Sequence, residues 1–142
     1  MTIARIVAGR EQRVIHCSPQ QTVREAAGLL AEYRIGAMPV LDAGKVAGIF
    51  SERDVLYCVA RHGHDALELT VAEVMTAPAI TVEAAMPVSE ALELMTRRRI
   101  RHLPVLEGEG LVAFVSIGDL VKYRIDMAEN EAQAMREYIR TA

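Results

Sequence analysis

A chain that repeats itself is constrained to fold as related units stacked on one another. Sliding this 142-residue sequence by 65 positions aligns 22–55 with 87–120 without a gap, and 11 of those 34 positions are identical. Ordinary composition gives roughly two or three matches over such a span. The identities are Val23/Val88, Glu25/Glu90, Ala26/Ala91, Leu29/Leu94, Arg34/Arg99, Ile35/Ile100, Pro39/Pro104, Val40/Val105, Leu41/Leu106, Ser51/Ser116 and Asp54/Asp119. Other pairs keep their character, among them Met38/Leu103, Asp42/Glu107, Val46/Leu111 and Phe50/Val115.

Each unit reads the same way. Thr22-Val23-Arg24-Glu25 has capping-box spacing and predicts a helix from there to about Tyr33. Val23, Ala26, Ala27 and Leu30 share one face of it. Pro39 cannot continue a helix and starts an extended run. Asp42 to Lys45 is a turn, and 46–50 is a second, almost wholly apolar strand. Ser51 then caps a helix to about Arg61, with Gly63 as terminator. The second unit predicts a helix over 88–99, strands over 103–106 and 111–115 joined by a turn over 107–110, and a last helix from about Ile117. Short strands are expected over 14–17 and 79–82 and a short helix over 71–75, while 62–69 is a polar link without periodicity.

These elements predict an α+β fold of two β-α-β-β-α units. Each is too small to bury its own apolar face, so the two pair about a pseudo-twofold axis. The expected segments are a first unit with an N-terminal helix over 1–70, a second over 71–124, and an extended C-terminal helix over 119–142. Half the residues are apolar (51%), enough for a core, and the net charge of −3 offers no global field for nucleic acid or an anionic membrane. Cys17 and Cys58 form no disulfide framework or metal motif and are expected to be free thiols. No signal peptide or membrane-length apolar run is evident, and a cytoplasmic protein is expected.

The strand-to-helix turns Ser51-Glu52-Arg53-Asp54 and Ser116-Ile117-Gly118-Asp119 occupy the same place in the two units. An Asp carboxylate can accept from both hydroxyls of a ribose. A Ser hydroxyl and the free amides of a helix start can hold phosphate. The same spacing is equally good helix-capping chemistry. Spacing alone leaves both readings open.

The pattern Arg-Ile-Gly-Ala-Met-Pro-Val-Leu-Asp, turn, Gly-Ile-Phe-Ser-Glu-Arg-Asp, followed by Arg-Ile-Arg-His-Leu-Pro-Val-Leu-Glu and Ala-Phe-Val-Ser-Ile-Gly-Asp, resembles the tandem CBS (cystathionine-β-synthase) domain pair, or Bateman module. Val74-Met75-Thr76 resembles the segment that introduces such a repeat. The resemblance covers about 14–123 and is closest to stand-alone bacterial pairs. It implies an adenosine-containing ligand (AMP, ADP, ATP, NAD or S-adenosylmethionine) between the repeats, and dimerisation into a disc. It implies contacts to phosphate and ribose from Ser51, Asp54, Ser116 and Asp119. It also implies a second contact region just before each first-strand proline, at Gly36 and Ala37 and at Arg101 and His102. The first of these is bland and the second cationic, so the two clefts are expected to differ in ligand or affinity. Arg101 and His102 are expected to supply phosphate charge, with Arg99 nearby and Arg53 from the other turn. Ile15, Ile80 and Val82 are expected against adenine, with Gln21, Thr22 and Met86 at the mouth. One departure is Gly48, matched in the second unit by Ala113.

Arg97-Arg98-Arg99-Ile100-Arg101 is a dense basic cluster. It lies at a helix C-terminus, where cations suit the macrodipole, and lacks the aromatics of a base-stacking surface, so no nucleic-acid partner is expected. His62-Gly63-His64-Asp65 is a weak metal signal, and no metal is expected. No nucleophile elbow, P-loop or Cys/His pair is present, so no enzyme and no catalytic cofactor are expected. Val121, Ile125, Ala128, Ala132, Met135 and Ile139 form an apolar heptad seam on the last helix, favouring a homodimer contact. The expected function is regulatory: an adenine-nucleotide sensor that signals by a shape change, with an unidentified effector protein. The alternative is a ligand-independent module that dimerises or docks on a partner.

Overall fold

The computed structural model describes residues 1–9 and 13–142. Helix α2 (Val23–Tyr33) opens where the Thr22 Oγ1 accepts from the Glu25 amide at 3.1 Å. It buries Val23, Ala26 and Leu30, while Ala27 is half-buried at the edge of that stripe. It ends on Arg34 in the left-handed conformation, φ 53°, a geometry that costs a non-glycine residue about 1–2 kcal/mol. Strands β1 (Ala37–Asp42) and β2 (Lys45–Ser51) form an antiparallel hairpin. Its two-residue turn, Ala43-Gly44, has φ of 50° and 80°, as a type I′ turn requires. Helix α3 (Glu52–His62) follows. The polar link that lacks periodicity contains a 3₁₀ helix, Gly63–Glu68: Ala66 is buried and its carbonyl accepts from the Cys58 thiol at 3.6 Å. Helix α4 (Val71–Val74) is capped reciprocally by Thr70 and Glu73.

The second unit contains β3 (Val82–Glu83), α5 (Val88–Arg98), β4 (His102–Glu107), β5 (Gly110–Ser116) and α6 (Ile117–Thr141). From α2 to the start of α3, every element recurs 65 residues later. The correspondence extends to the left-handed Arg99 (φ 55°) and to the bulge, at Val40/Leu41 in one unit and Val105/Leu106 in the other.

The expected leading strands are shorter than the sequence suggests. Val82 and Glu83 pair in parallel with Val105 and Leu106, whereas in the first unit only Cys17 pairs, with Val40. Cys17 donates to the Pro39 carbonyl at 3.2 Å, and Leu41 donates to the Cys17 carbonyl at 2.8 Å. The next rung would come from residue 19, a proline with no N–H. At the equivalent place Ala84 donates to the Leu106 carbonyl at 3.0 Å.

The halves trade their leading helices. Helix α1 (Ile3–Val7), expected within the first segment, packs in the second core with Val82, Val88, Met95, Leu103, Val115 and Leu120. Helix α4, at the head of the second segment, supplies Val71 to the first core, beside Val23, Leu30, Met38, Val40 and Phe50. The backbone bonds match rung for rung. Val71 donates to Gln21 (2.8 Å), Ala72 to Pro19 (3.0 Å) and Val23 to Leu69 (2.8 Å). Ile3 donates to Met86 (2.9 Å), Ala4 to Ala84 (2.8 Å) and Val88 to Met1 (3.1 Å). The boundaries at 70 and 71 therefore divide the chain but not the cores.

Among the described residues no helix is long and apolar enough to cross a membrane. Helix α6 buries Leu120 near its start, and from residue 128 onward every position is exposed.

After α4 the chain lies on the edge of β2, where Ile49 and Thr76 exchange two backbone bonds of 2.9 Å. That approach explains Gly48. A Cβ there would sit 2.8 Å from the Thr76 carbonyl oxygen and 2.9 Å from the Met75 sulfur. Gly48→Ala is expected to lower stability by about 1–3 kcal/mol through overpacking, measured by urea denaturation; an unchanged midpoint would show that the Met75–Thr76 segment yields freely.

Candidate functional site

The two units meet through β2 and β5, and the turns that follow these strands carry the Ser and Asp pairs. Each turn is fastened to the segment before the first-strand proline. The Glu52 amide donates to the Gly36 carbonyl at 2.9 Å, and the Ile117 amide to the Arg101 carbonyl at 2.8 Å. Ala37 pairs across the hairpin with Ser51, and His102 with Ser116. In each unit the two regions singled out from sequence therefore lie side by side: Ala37 with Ser51 and Asp54, and His102 with Ser116 and Asp119.

Both turns are capping boxes. Asp54 Oδ2 accepts from the Ser51 amide (2.9 Å) and hydroxyl (3.0 Å), while the Asp54 amide donates to Ser51 Oγ at 3.3 Å. Asp54 Oδ1 accepts from Thr76 Oγ1 at 3.0 Å. In the second unit Asp119 Oδ2 accepts from the Ser116 amide at 2.8 Å, and the Asp119 amide donates to Ser116 Oγ at 3.1 Å. The capping alternative is realised in both units. A ribose hydroxyl approaching Asp54 would have to use the capacity remaining on Oδ1, beside Thr76. Thr76 stood out in the sequence only within the segment that introduces a repeat, not as a partner of Asp54, to which the sheet edge at Ile49 brings it across 22 residues.

The charged groups differ between the units. Arg53, Arg99 and Arg101 are exposed. His102 is half-buried and stacks on Phe114, ring centroids 5.3 Å apart and planes within 7°. Burial pushes the His102 pKa below the ordinary histidine value; Asp119 opposes this, Arg101 adds to it, and Glu52 opposes it. Glu52 comes from the other unit, so the junction holds an acid among the cations expected there. The same carboxylate lies against Gly36, where a Cβ would be 3.5 Å from its Oε1.

Other expected contacts sit differently. Val82 and Ala37, at 4% and 5% exposure, are built into the interior rather than presented to an open cleft. Ile80 is half-buried against the second core and Ile15 against the first. Gln21 turns back on its own loop, its Oε1 accepting from the Ser18 amide at 2.9 Å. An open groove of about 350 Å³ lies elsewhere, between Met1, Pro87, Val88 and Ser89 on one side and Tyr123, Arg124, Met127, Ala128 and Glu131 on the other. Burial raises the Cys17 pKa to about 11, consistent with an inert structural thiol. Among the described residues no three His, Cys, Asp or Glu side chains are grouped to hold a metal ion.

The family model described as "CBS domain" matches twice, over 10–61 and 71–126. The chain is 32% identical over 120 residues to the CBS domain-containing protein YhcV of Bacillus subtilis, covering 84% of this chain and 83% of that protein. Its fold matches a crystal structure of a CBS-domain containing protein from Agrobacterium tumefaciens with a TM-score of 0.82 and 36% identity, covering 87% of this chain and 99% of the other. The CBS domain pair of protein MJ0100, solved with 5′-methylthioadenosine and S-adenosyl-L-methionine, shares the fold at 23% identity and a TM-score of 0.78, covering 89% of this chain and 98% of that one.

The capping geometry has a consequence for stability without any ligand. Asp54→Ala removes the cap and the bond from Thr76 together and is expected to cost about 1–2 kcal/mol. Thermal melting of the ligand-free protein checks this, and a melt identical to the unaltered protein would show that the Asp54 bonds contribute nothing net.

Proposed function

The chain belongs to the CBS domain family and carries two copies of the domain, and from that premise we propose that it is a regulatory module binding an adenosine-containing ligand where the two copies meet. AMP, ADP, ATP and NAD fit the reading best, because the second unit offers cations for phosphate. The observation that carries it is the cluster around His102: a half-buried imidazole stacked on Phe114, with Arg101 next to it in the chain and the Ser116–Asp119 helix start across the hairpin. An imidazole and an exposed guanidinium beside a helix start suit a phosphate. Asp119 and Asp54 are the acceptors for ribose. The first unit, with Gly36, Ala37 and Glu52 in the corresponding places, is less suited to an anion and is the weaker or different site. MJ0100, which shares this fold, was solved with two adenosyl compounds, and that supports the ligand class.

In this reading the ligand signals by binding one arrangement of the two copies more tightly than another, and the shift is limited to that difference in affinity. The protein acts in the cytoplasm as a homodimer, passes the signal to an effector protein, and performs no catalysis itself. The second reading, a ligand-independent scaffold, draws on the full engagement of Asp54 Oδ2 within its own turn and the burial of Val82.

Isothermal titration with AMP, ATP, NAD and S-adenosylmethionine separates the two. At about 100 times the dissociation constant, a true ligand adds about 2.7 kcal/mol of stability. Absence of both heat and a melting shift with all four would leave only the scaffold.

Protonation gives a second check. His102 has a lowered pKa in the free protein, so the unfolded chain takes the proton more readily. Stability should then fall as pH drops through about 6.5. A bound phosphate reverses the sign at this residue, because an adjacent anion favours imidazolium. Phosphate-bearing ligands are therefore expected to bind more tightly, with proton uptake, as pH falls from about 7.5 to about 6. His102→Gln should flatten that dependence, and an unchanged slope would remove His102 from the site.

A further inference from the structure

Helix α6 is 25 residues long, roughly 37 Å, and its second half lies outside the body of the protein. The CBS family model ends at residue 126, so this half lies beyond the matched domains. It carries large apolar side chains in water: Val121, Ile125, Met135, Tyr138 and Ile139 are 42–70% exposed. A helix segment of this length with no packed face is marginal in water. Arg124 and Glu131 flank the seam on the side of the protein body, and both line the groove there together with Ala128, the seam residue nearest to it. Seam and buried Leu120 lie roughly a quarter turn apart on the helix, so a helix laid on the seam need not displace α6 from its own core.

We propose that the seam Val121, Ile125, Ala128, Ala132, Met135 and Ile139 is covered by the same seam of a second copy, as a parallel, in-register two-stranded coil. The proposal deepens the homodimer expectation and rests on it, but not on nucleotide binding. The charges flanking the seam choose the orientation. With Ile125, Ala132 and Ile139 at a, and Val121, Ala128 and Met135 at d, the g positions hold Arg124 and Glu131, and the e positions hold Glu129 and Arg136. In parallel register g faces the next e of the partner. Arg124 then meets the partner's Glu129, and Glu131 meets the partner's Arg136, twice each by symmetry. The antiparallel register that pairs all six layers sets Val121 against the partner's Ile139. It also sets Glu129 against the partner's Glu129, Glu131 against the partner's Glu131 and Lys122 against the partner's Arg136. Every one of those contacts joins like charges, which disfavours that register. The alanine layers 128 and 132 let the two helices approach closely at mid-seam.

Sedimentation equilibrium and oxidative cross-linking test this. The unaltered protein should be a dimer and Ile125→Asp/Ile139→Asp a monomer; both substituted positions are exposed, and circular dichroism checks that the body stays folded. Ile139→Cys should form a disulfide-linked dimer under mild oxidation, with the unaltered protein, whose two cysteines are buried, as control. A mixture of Val121→Cys and Ile139→Cys should give no 121–139 link. Glu131→Arg should weaken the dimer several-fold, and adding Arg136→Glu should restore it. A monomer at all concentrations overturns both this interface and the homodimer expectation. A dimer that survives Ile125→Asp/Ile139→Asp keeps the homodimer but overturns the coil, and a 121–139 link overturns the parallel register.

Discussion

Each half of this protein is closed by a helix that belongs, along the chain, to the other half. The six backbone bonds that fasten α4 to the start of α2 and α1 to the start of α5 are related by the same pseudo-twofold that relates the cores. Everything downstream depends on that exchange. It supplies Val71 to one core and Ile3 and Val7 to the other. It brings Met75 and Thr76 over Gly48, and through Thr76 it reaches Asp54. Neither half has its full core without the other, so the pair is expected to lose structure as one cooperative unit.

On this frame the two strand-to-helix turns are built alike and furnished differently. The carbonyls of Gly36 and Arg101 hold the first amides of α3 and α6, and Ser and Asp cap the next turn in both. What differs is the side chain set into the shared geometry: Ala37 and Ile49 on one side, His102 and Phe114 on the other. A half-buried stacked imidazole and a small buried methyl create different electrostatics from one backbone. Side-chain chemistry can thus be varied at these positions without disturbing the hydrogen bonds that hold the turns.

The fold was largely legible because the 65-residue shift carries both hydrophobic periods at once, helical over 23–33 and extended over 37–51. The four hairpin strands run one or two residues beyond the expected ones, as pairing extends past the apolar centre. The exchange of leading helices was not legible. Thr2 to Val7 and Thr70 to Met75 correspond at a spacing of 68 rather than 65, over too few residues to stand out. The short first strand was written in Pro19, though only the ladder reveals which missing N–H matters. At the candidate site the residues singled out at each turn lie side by side, but their states were not legible. Ser-x-x-Asp spells cap and ligand contact alike, and no local pattern joins Glu52 to His102 or Thr76 to Asp54.

The traded helices also bear on origins. A single ancestral copy of this unit, bearing its own leading helix, would have had to lend that helix to a twin and borrow one in return. Such a molecule exists only as an interlocked couple with two identical strand-to-helix turns. Joining the couple into one polypeptide removes that obligation of symmetry. Glycine and alanine can then stand before one first-strand proline where arginine and histidine stand before the other, and the two halves are free to diverge in charge.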